Sequence, residues 1–91
     1  MQEDTKNSVR KRLNRVEGQV RGIARMVEAD RYCIDVVTQI AAVRAALRRI
    51  EAEVIRDHAA HCVADAVRSG DPDERQRKVD ELITVLERSD R

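Results

Sequence analysis

Two cysteines and two histidines are the side chains of this 91-residue chain best suited to binding a soft metal ion. His58 and Cys62 are four residues apart, so on a helix they lie on one face. Cys33 lies much earlier, and a single helix joining it to Cys62 would separate the two residues by roughly 40 Å. The spacing therefore predicts a metal site that is completed only when Cys33 comes from a second copy of the chain.

The donor atoms narrow the choice of metal. Two thiolates and one imidazole suit Cu(I) or Zn(II) and are poor ligands for magnesium or calcium. Zinc would want a fourth donor, from His61 or water. On a helical wheel His61 lies about 60° from His58 and about 100° from Cys62, so it is a candidate fourth ligand, a neighbour of the site or a surface residue. We prefer His58 as the ligand because its four-residue spacing aligns it better with Cys62.

Other interpretations of these residues stay open. Cysteine is often a buried core residue, and histidine is often exposed without binding anything. A Cys–His pair also serves as the nucleophile of some enzymes. The sequence offers no glycine-rich oxyanion loop and no evident third orienting group, so we do not expect an enzyme.

Hydrophobic spacing predicts an all-α protein with three helices in a single domain, residues 1–91. We place the helices at roughly 5–29, 32–69 and 72–88. Apolar residues recur at steps of three and four, as in packed helices. In the first helix this seam is Val9, Leu13, Val16, Val20, Ile23 and Val27. In the second it is Cys33, Val36, Ile40, Val43, Leu47, Ile50 and Val54, with Asp57 and His61 next. Gly70 suits the end of that helix, and Asp71-Pro72 suits the start of the third.

The long second helix suggests how two copies pair. In an antiparallel pair, residue i faces residue j when i + j is constant, so setting Cys33 opposite residues 58–62 of the partner puts the crossing point near Leu47. That point lies in the middle of the apolar seam, so one pairing both builds the mixed site and buries the seam. A two-fold axis then gives two equal sites.

The charges divide unevenly along the chain. Residues 1–49 carry 11 Lys/Arg against 6 Asp/Glu, a net +5, and residues 50–91 carry 7 against 11, a net −4. Tyr32 is the one aromatic residue, so stacking on unpaired bases is not expected, and duplex DNA bound through its phosphates is the better nucleic-acid hypothesis. A solvated, arginine-rich helix face with no DNA role is the alternative. By charge alone the candidate DNA contacts include Arg15, Arg44 and Arg48.

The start of the chain carries no signal-peptide pattern, and no apolar run reaches membrane-spanning length. We therefore expect a cytoplasmic protein that does not enter a membrane. Thiols stay reduced in that compartment, so a structural disulfide is not expected.

Three segments together resemble the CsoR/RcnR family of metal-responsive transcriptional repressors. They are RLNRVEGQVRG at 12–22, DRYCIDVVTQI at 30–40, and Asp57-His58 followed by His61-Cys62. The resemblance covers about residues 10–88. It implies an all-helical antiparallel dimer that assembles into a tetramer and binds double-stranded operator DNA when free of its effector.

The resemblance also implies roles for individual residues. Cys33, His58 and Cys62 match the copper(I)-sensing branch, with Cys33 given by one protomer and the other two by its neighbour. Tyr32 and Glu81 match positions beside the ligands that are thought to link the metal to the DNA-binding surface. Arg12 and Arg49 match positions implicated in DNA binding.

The implied function is a repressor that releases its operator on binding Cu(I). Nickel- and cobalt-sensing relatives use a histidine-rich set with a ligand near the N-terminus, where this chain offers only Gln2, Glu3 and Asp4. A persulfide or electrophile sensor that uses Cys33 and Cys62 is the second hypothesis. A structural helical adaptor that binds a partner through its apolar seam is the third.

Overall fold

The computed structural model describes residues 1–89, and the last two residues of the predicted domain lie outside it. Helix α1 spans Glu3–Glu28 and α2 spans Cys33–His58. A π-helical turn, Ala59–Val63, and the short α3, Ala64–Arg68, follow α2 without a break, and α4 spans Pro72–Ser89. Residues 1–89 contain no strand, which confirms the all-α prediction. The predicted ends of the three helices agree within about two residues, the usual uncertainty of helix ends.

The second predicted helix needs one correction. The spacing predicts one α-helix over 32–69, but residues 59–63 form a π turn with i→i+5 hydrogen bonds. The flanking residues His58 and Ala64 keep right-handed helical dihedral angles. No glycine or proline marks the change from α-helix to π turn, because the segment AAHCV contains neither. A π turn shifts the register of the residues that follow it. Ala66 is therefore the next buried position after Asp57, and the predicted seam residue His61 is exposed.

Residues Gln2–Glu53 form one compact unit, a hairpin of α1 and most of α2. The connection uses Asp30 in the left-handed region, φ 53°, while the Arg31 N–H donates to the Met26 carbonyl. The core of this unit is formed by alternate members of the two predicted seams, Val9, Val16, Val43 and Ile50. Only half of each seam is thus used inside the hairpin.

The other half of each seam is exposed. Large apolar side chains recur at seven-residue steps on α1 and again on α2, and they give the hairpin an apolar face: Leu13, Val20, Val27, Ile40 and Leu47. Leu47, for example, is 44% exposed. Helical rotation of about 100° per residue places this apolar face on a different side of each helix from Arg12, Arg15 and Arg49.

The second compact unit comprises Met1 and Val54–Arg91. Its helices α3 and α4 are joined at Gly70, φ 75°, and Asp71 Oδ1 accepts a hydrogen bond from the Asp73 N–H at 3.0 Å. This side chain caps α4, whose first residue is Pro72, so the predicted start of the third helix is confirmed. On α4 the apolar side chains of Ile83 and Leu86 are exposed. No helix within residues 1–89 is long and apolar enough to cross a membrane.

Candidate metal centre and basic groove

His58 is the last residue of α2, and its Nε2 atom is buried without a hydrogen-bond partner. Glu81 on α4 lies beside it, with Oε1 3.4 Å from Nε2, although the pair does not have hydrogen-bond geometry. Both side chains border a cavity of about 210 Å³ that is otherwise lined by aliphatic residues: Val54, Ile55, Leu82 and Val85. A histidine that binds a metal usually donates its second ring N–H to a carboxylate, so Glu81 beside Nε2 is placed for that role and would leave Nδ1 for a metal ion.

Cys62 lies within the π turn, and its thiol is free and exposed. A π turn has more residues per turn than an α-helix, so each residue rotates less about the axis. The four-residue step from His58 to Cys62 then falls slightly short of a full turn, and the two residues stay on one side of the helix. The three-residue step to His61 falls shorter still, which turns His61 further from His58.

His61 is exposed and is directed toward a carboxylate of its own helical segment. Its Nε2 lies 3.9 Å from Oδ1 of Asp57, whose side chain is only 7% exposed. Asp57 occupies the seam position that the spacing predicted, and it is buried there although it is charged. The structure thus separates the two histidines: His58 faces Glu81, and His61 faces Asp57.

Cys33 is the first residue of α2, and it belongs to the Gln2–Glu53 unit. Its thiol is free and exposed, as is most of the neighbouring Tyr32. The Tyr32 carbonyl accepts the N–H groups of Asp35 and Val36 and so begins the helix. Within residues 1–89 no three His, Cys, Asp or Glu side chains come together in a way that could hold a metal ion.

Three of the five arginines predicted to bind DNA line one groove of the hairpin. Arg12 and Arg15 come from α1 and Arg49 from α2, around a cavity of about 450 Å³. Gln19 also lines it, and the remaining wall consists of small or aliphatic residues: Val16, Ala42, Ala45, Ala46 and Ile50. Arg48 is exposed and does not line the groove. We call this surface the basic groove.

Glu53 contacts one of these arginines, and no local sequence pattern points to it. Arg12 Nη1 lies 3.3 Å from Glu53 Oε2. The register of the hairpin explains the pairing, because Val16 and Ile50 are both in its core and the next turns of α1 and α2 bring residues 12 and 53 opposite each other. Local spacing does not show this register, because it depends on how α1 and α2 pack against each other.

Comparison with known proteins agrees with this architecture. The family model for metal-sensitive transcriptional repressors matches residues 5–88. The chain belongs to this family. The metal-sensitive repressors are regulators of transcription and not enzymes, as expected from the sequence.

Individual relatives are similar over most of their length. The copper-sensing repressor CsoR of Bacillus subtilis is 48% identical over 83 residues, 91% of this chain and 79% of the relative. The copper-sensing repressor RicR of Mycobacterium tuberculosis is 58% identical over 67 residues, 74% of this chain and 70% of the relative.

Two solved structures share the fold. The copper-sensing repressor CsoR of Geobacillus thermodenitrificans, crystallised with Cu(I), has a TM-score of 0.89 at 41% identity, covering 100% of this chain and 92% of that one. The nickel-responsive regulator InrS has a TM-score of 0.77 at 35% identity, covering 91% and 90%. Because the same fold serves repressors that respond to different metals, the ligand set has to distinguish them.

Proposed function

We propose that this metal-sensitive repressor responds to Cu(I): it binds operator DNA when metal-free and releases it when the metal is bound. The observation that carries the proposal is Glu81 beside the buried Nε2 of His58, which would leave Nδ1 to bind a metal on the side of the helix that also bears Cys62. The protein would act in the cytoplasm, where thiols stay reduced and operator DNA is found. Its acting form would be a homodimer or a homotetramer.

A second copy of the chain is needed to complete the ligand set. Helix α2 begins at Cys33 and ends at His58, and a helix of its 26 residues separates its ends by roughly 40 Å. The exposed apolar face of the hairpin supports a partner there, because unpaired apolar faces of this kind are usually buried by association. Antiparallel pairing about Leu47 would cover this face and bring the partner's Cys33 to His58 and Cys62.

The donors favour copper over nickel. When bound, Cu(I) would supply a single coordination centre that draws two thiolates and one imidazole together. His58 offers its second ring nitrogen, Nδ1, and Cys33 and Cys62 offer free thiols. Glu81, beside Nε2, would orient the imidazole, and Tyr32 would stand next to the Cys33 ligand. His61, directed toward Asp57, is not needed in this set.

The basic groove is the proposed DNA contact. Guanidinium groups of Arg12, Arg15 and Arg49 would bind phosphates of the duplex, with Arg48 as an outer contact. Release on metal binding requires only that the metal favours the arrangement with low DNA affinity. By linkage, DNA then weakens metal binding by the same factor.

The test combines metal and DNA titrations. A duplex selected by the metal-free protein from a random-sequence library serves as the probe in a gel-shift assay, with and without Cu(I). Cys33→Ala and His58→Ala should keep DNA binding but lose stoichiometric Cu(I) binding and release, whereas the control His61→Ala should retain both. Native Cu(I) affinity in Cys33→Ala or His58→Ala would refute this site.

The exposure of both free thiols favours one alternative, a persulfide-sensing repressor of the same family. A thiolate of Cys33 would attack an added polysulfide, break one of its S–S bonds and release a shorter polysulfide anion, which leaves a Cys33 persulfide. The partner's Cys62 thiolate would then attack the Sγ atom of Cys33 and displace hydrosulfide, which leaves a disulfide between the protomers. That alternative predicts that polysulfide produces a covalent dimer, detected by its mass under non-reducing conditions. It also predicts that polysulfide still releases DNA from the His58→Ala variant. The copper proposal predicts that polysulfide releases the duplex far less effectively than Cu(I).

A further inference from the structure

The ion pair between Glu53 and Arg12 lies at the basic groove. The Glu53 side chain is 21% exposed and the Arg12 side chain 49%, and Nη1 stands 3.3 Å from Oε2. Oε2 of Glu53 is buried and accepts no hydrogen bond. The Arg12 guanidinium is close enough to attract the carboxylate, but the two groups do not have hydrogen-bond geometry. Stability of the fold does not explain why Glu53 is placed here, because burying a charged oxygen without hydrogen bonds is unfavourable.

A second ion pair of the hairpin shows what an ordinary surface pair looks like here. Glu17 and Arg21 are one helical turn apart on α1, their side chains are both 66% exposed, and the charged atoms are 3.6 Å apart. Neither residue lines the basic groove. Glu53 differs because it comes from the other helix, is less exposed, and pairs with an arginine that lines the basic groove.

We propose that Glu53 competes with DNA phosphates for the guanidinium of Arg12 and so limits the affinity of the metal-free protein for DNA. The inference rests on the proposed contact between Arg12 and DNA. A phosphate on this guanidinium would lie within a few ångströms of the Glu53 carboxylate, and two negative charges at that distance repel. DNA must therefore either displace the carboxylate or bind beside it at a cost.

A limited affinity would matter for regulation. A bound effector can shift an equilibrium only by its differential affinity for the two states. If the metal-free form binds DNA less tightly, its affinity for DNA is closer to that of the form that releases DNA. Glu53 would thus make release achievable with a smaller preference of the metal for the low-affinity form.

Glu53→Gln tests the competition because it removes the charge and keeps the shape. Gel-shift titrations with the selected duplex should show tighter binding than wild type, by about eightfold at 0.1 M salt for each Arg12 that gains a phosphate contact. The slope of log K against log salt should steepen by about 0.9 for each such contact. Glu17→Gln, the matched control, should leave both quantities near wild type.

A double-mutant cycle separates competition for Arg12 from general repulsion of DNA. Glu53→Gln in an Arg12→Ala background should change neither affinity nor slope, because the contested guanidinium is gone. Equal tightening in both backgrounds would overturn the proposal, as would unchanged or weaker binding by Glu53→Gln itself. Glu53→Ala, with folding checked by circular dichroism, provides a second variant and should tighten binding in the same way.

The same experiments distinguish failure of the proposed DNA contact from failure of the proposed competition. If the wild-type protein enriches no duplex, or Arg12→Ala does not weaken binding in the Glu53→Gln background, the DNA contact itself is wrong. If wild type binds and Arg12→Ala binds more weakly, while Glu53→Gln has no effect, only the competition is wrong.

Discussion

Leu47→Glu should disrupt association and, with it, metal binding, although every proposed ligand remains in the chain. Leu47 is 44% exposed in the hairpin and lies at the proposed crossing point, where a two-fold axis sets each residue near its own copy. Burying the exposed part of two leucines contributes about 2 kcal/mol. Two carboxylates brought close at a partly hydrated interface repel by about 2 kcal/mol.

The combined effect of about 4 kcal/mol would weaken dimerisation about a thousandfold. Sedimentation equilibrium measures that shift, and a Cu(I) competition titration on the same samples should show affinity lost in parallel. Ala41→Glu is the matched control, since Ala41 is exposed on α2 but turned away from the apolar face. A dimeric Leu47→Glu protein with native Cu(I) affinity would refute the antiparallel pairing about Leu47.

Two further predictions concern single residues. Glu81→Gln should lower Cu(I) affinity by about 10- to 100-fold, the usual effect of removing a partner of a ligating histidine, whereas Glu87→Gln, exposed on the same helix, should not; equal losses in a competition titration would contradict the role of Glu81. Val43→Ala should lower the free energy of unfolding by about 2 kcal/mol, since Val43 is in the hairpin core, and Val37→Ala by less than about 0.5 kcal/mol; urea unfolding measures both, and similar losses would show that the core is assigned wrongly.

Much of the fold was predictable because each helix carries its own signals. The steps of three and four predicted the helical segments, and Asp71-Pro72 predicted the start of α4. The same pattern could not show which half of each seam packs inside the hairpin. Val16 and Leu13 both fit the spacing, and only the register between α1 and α2 makes the first buried and the second exposed.

The candidate site was predictable in composition but not in geometry. The sequence singled out His58 because of its spacing from Cys62, and the resemblance added Glu81. The π turn was not foreseen, because its backbone stays helical and no residue type in 59–63 demands it. Glu53 was missed because long-range pairing depends on the fold and not on local spacing.

The π turn has a consequence for how such a repressor changes its specificity. In effect it is a one-residue insertion in an otherwise regular helix, and it falls on the segment that carries His61 and Cys62. The positions of donor atoms in this segment do not have to follow the three-four spacing that buries Val43 and Ile50. Substitutions can therefore exchange one donor set for another while the packing residues stay as they are. A single helical scaffold can in this way diverge toward different effectors without first losing its core.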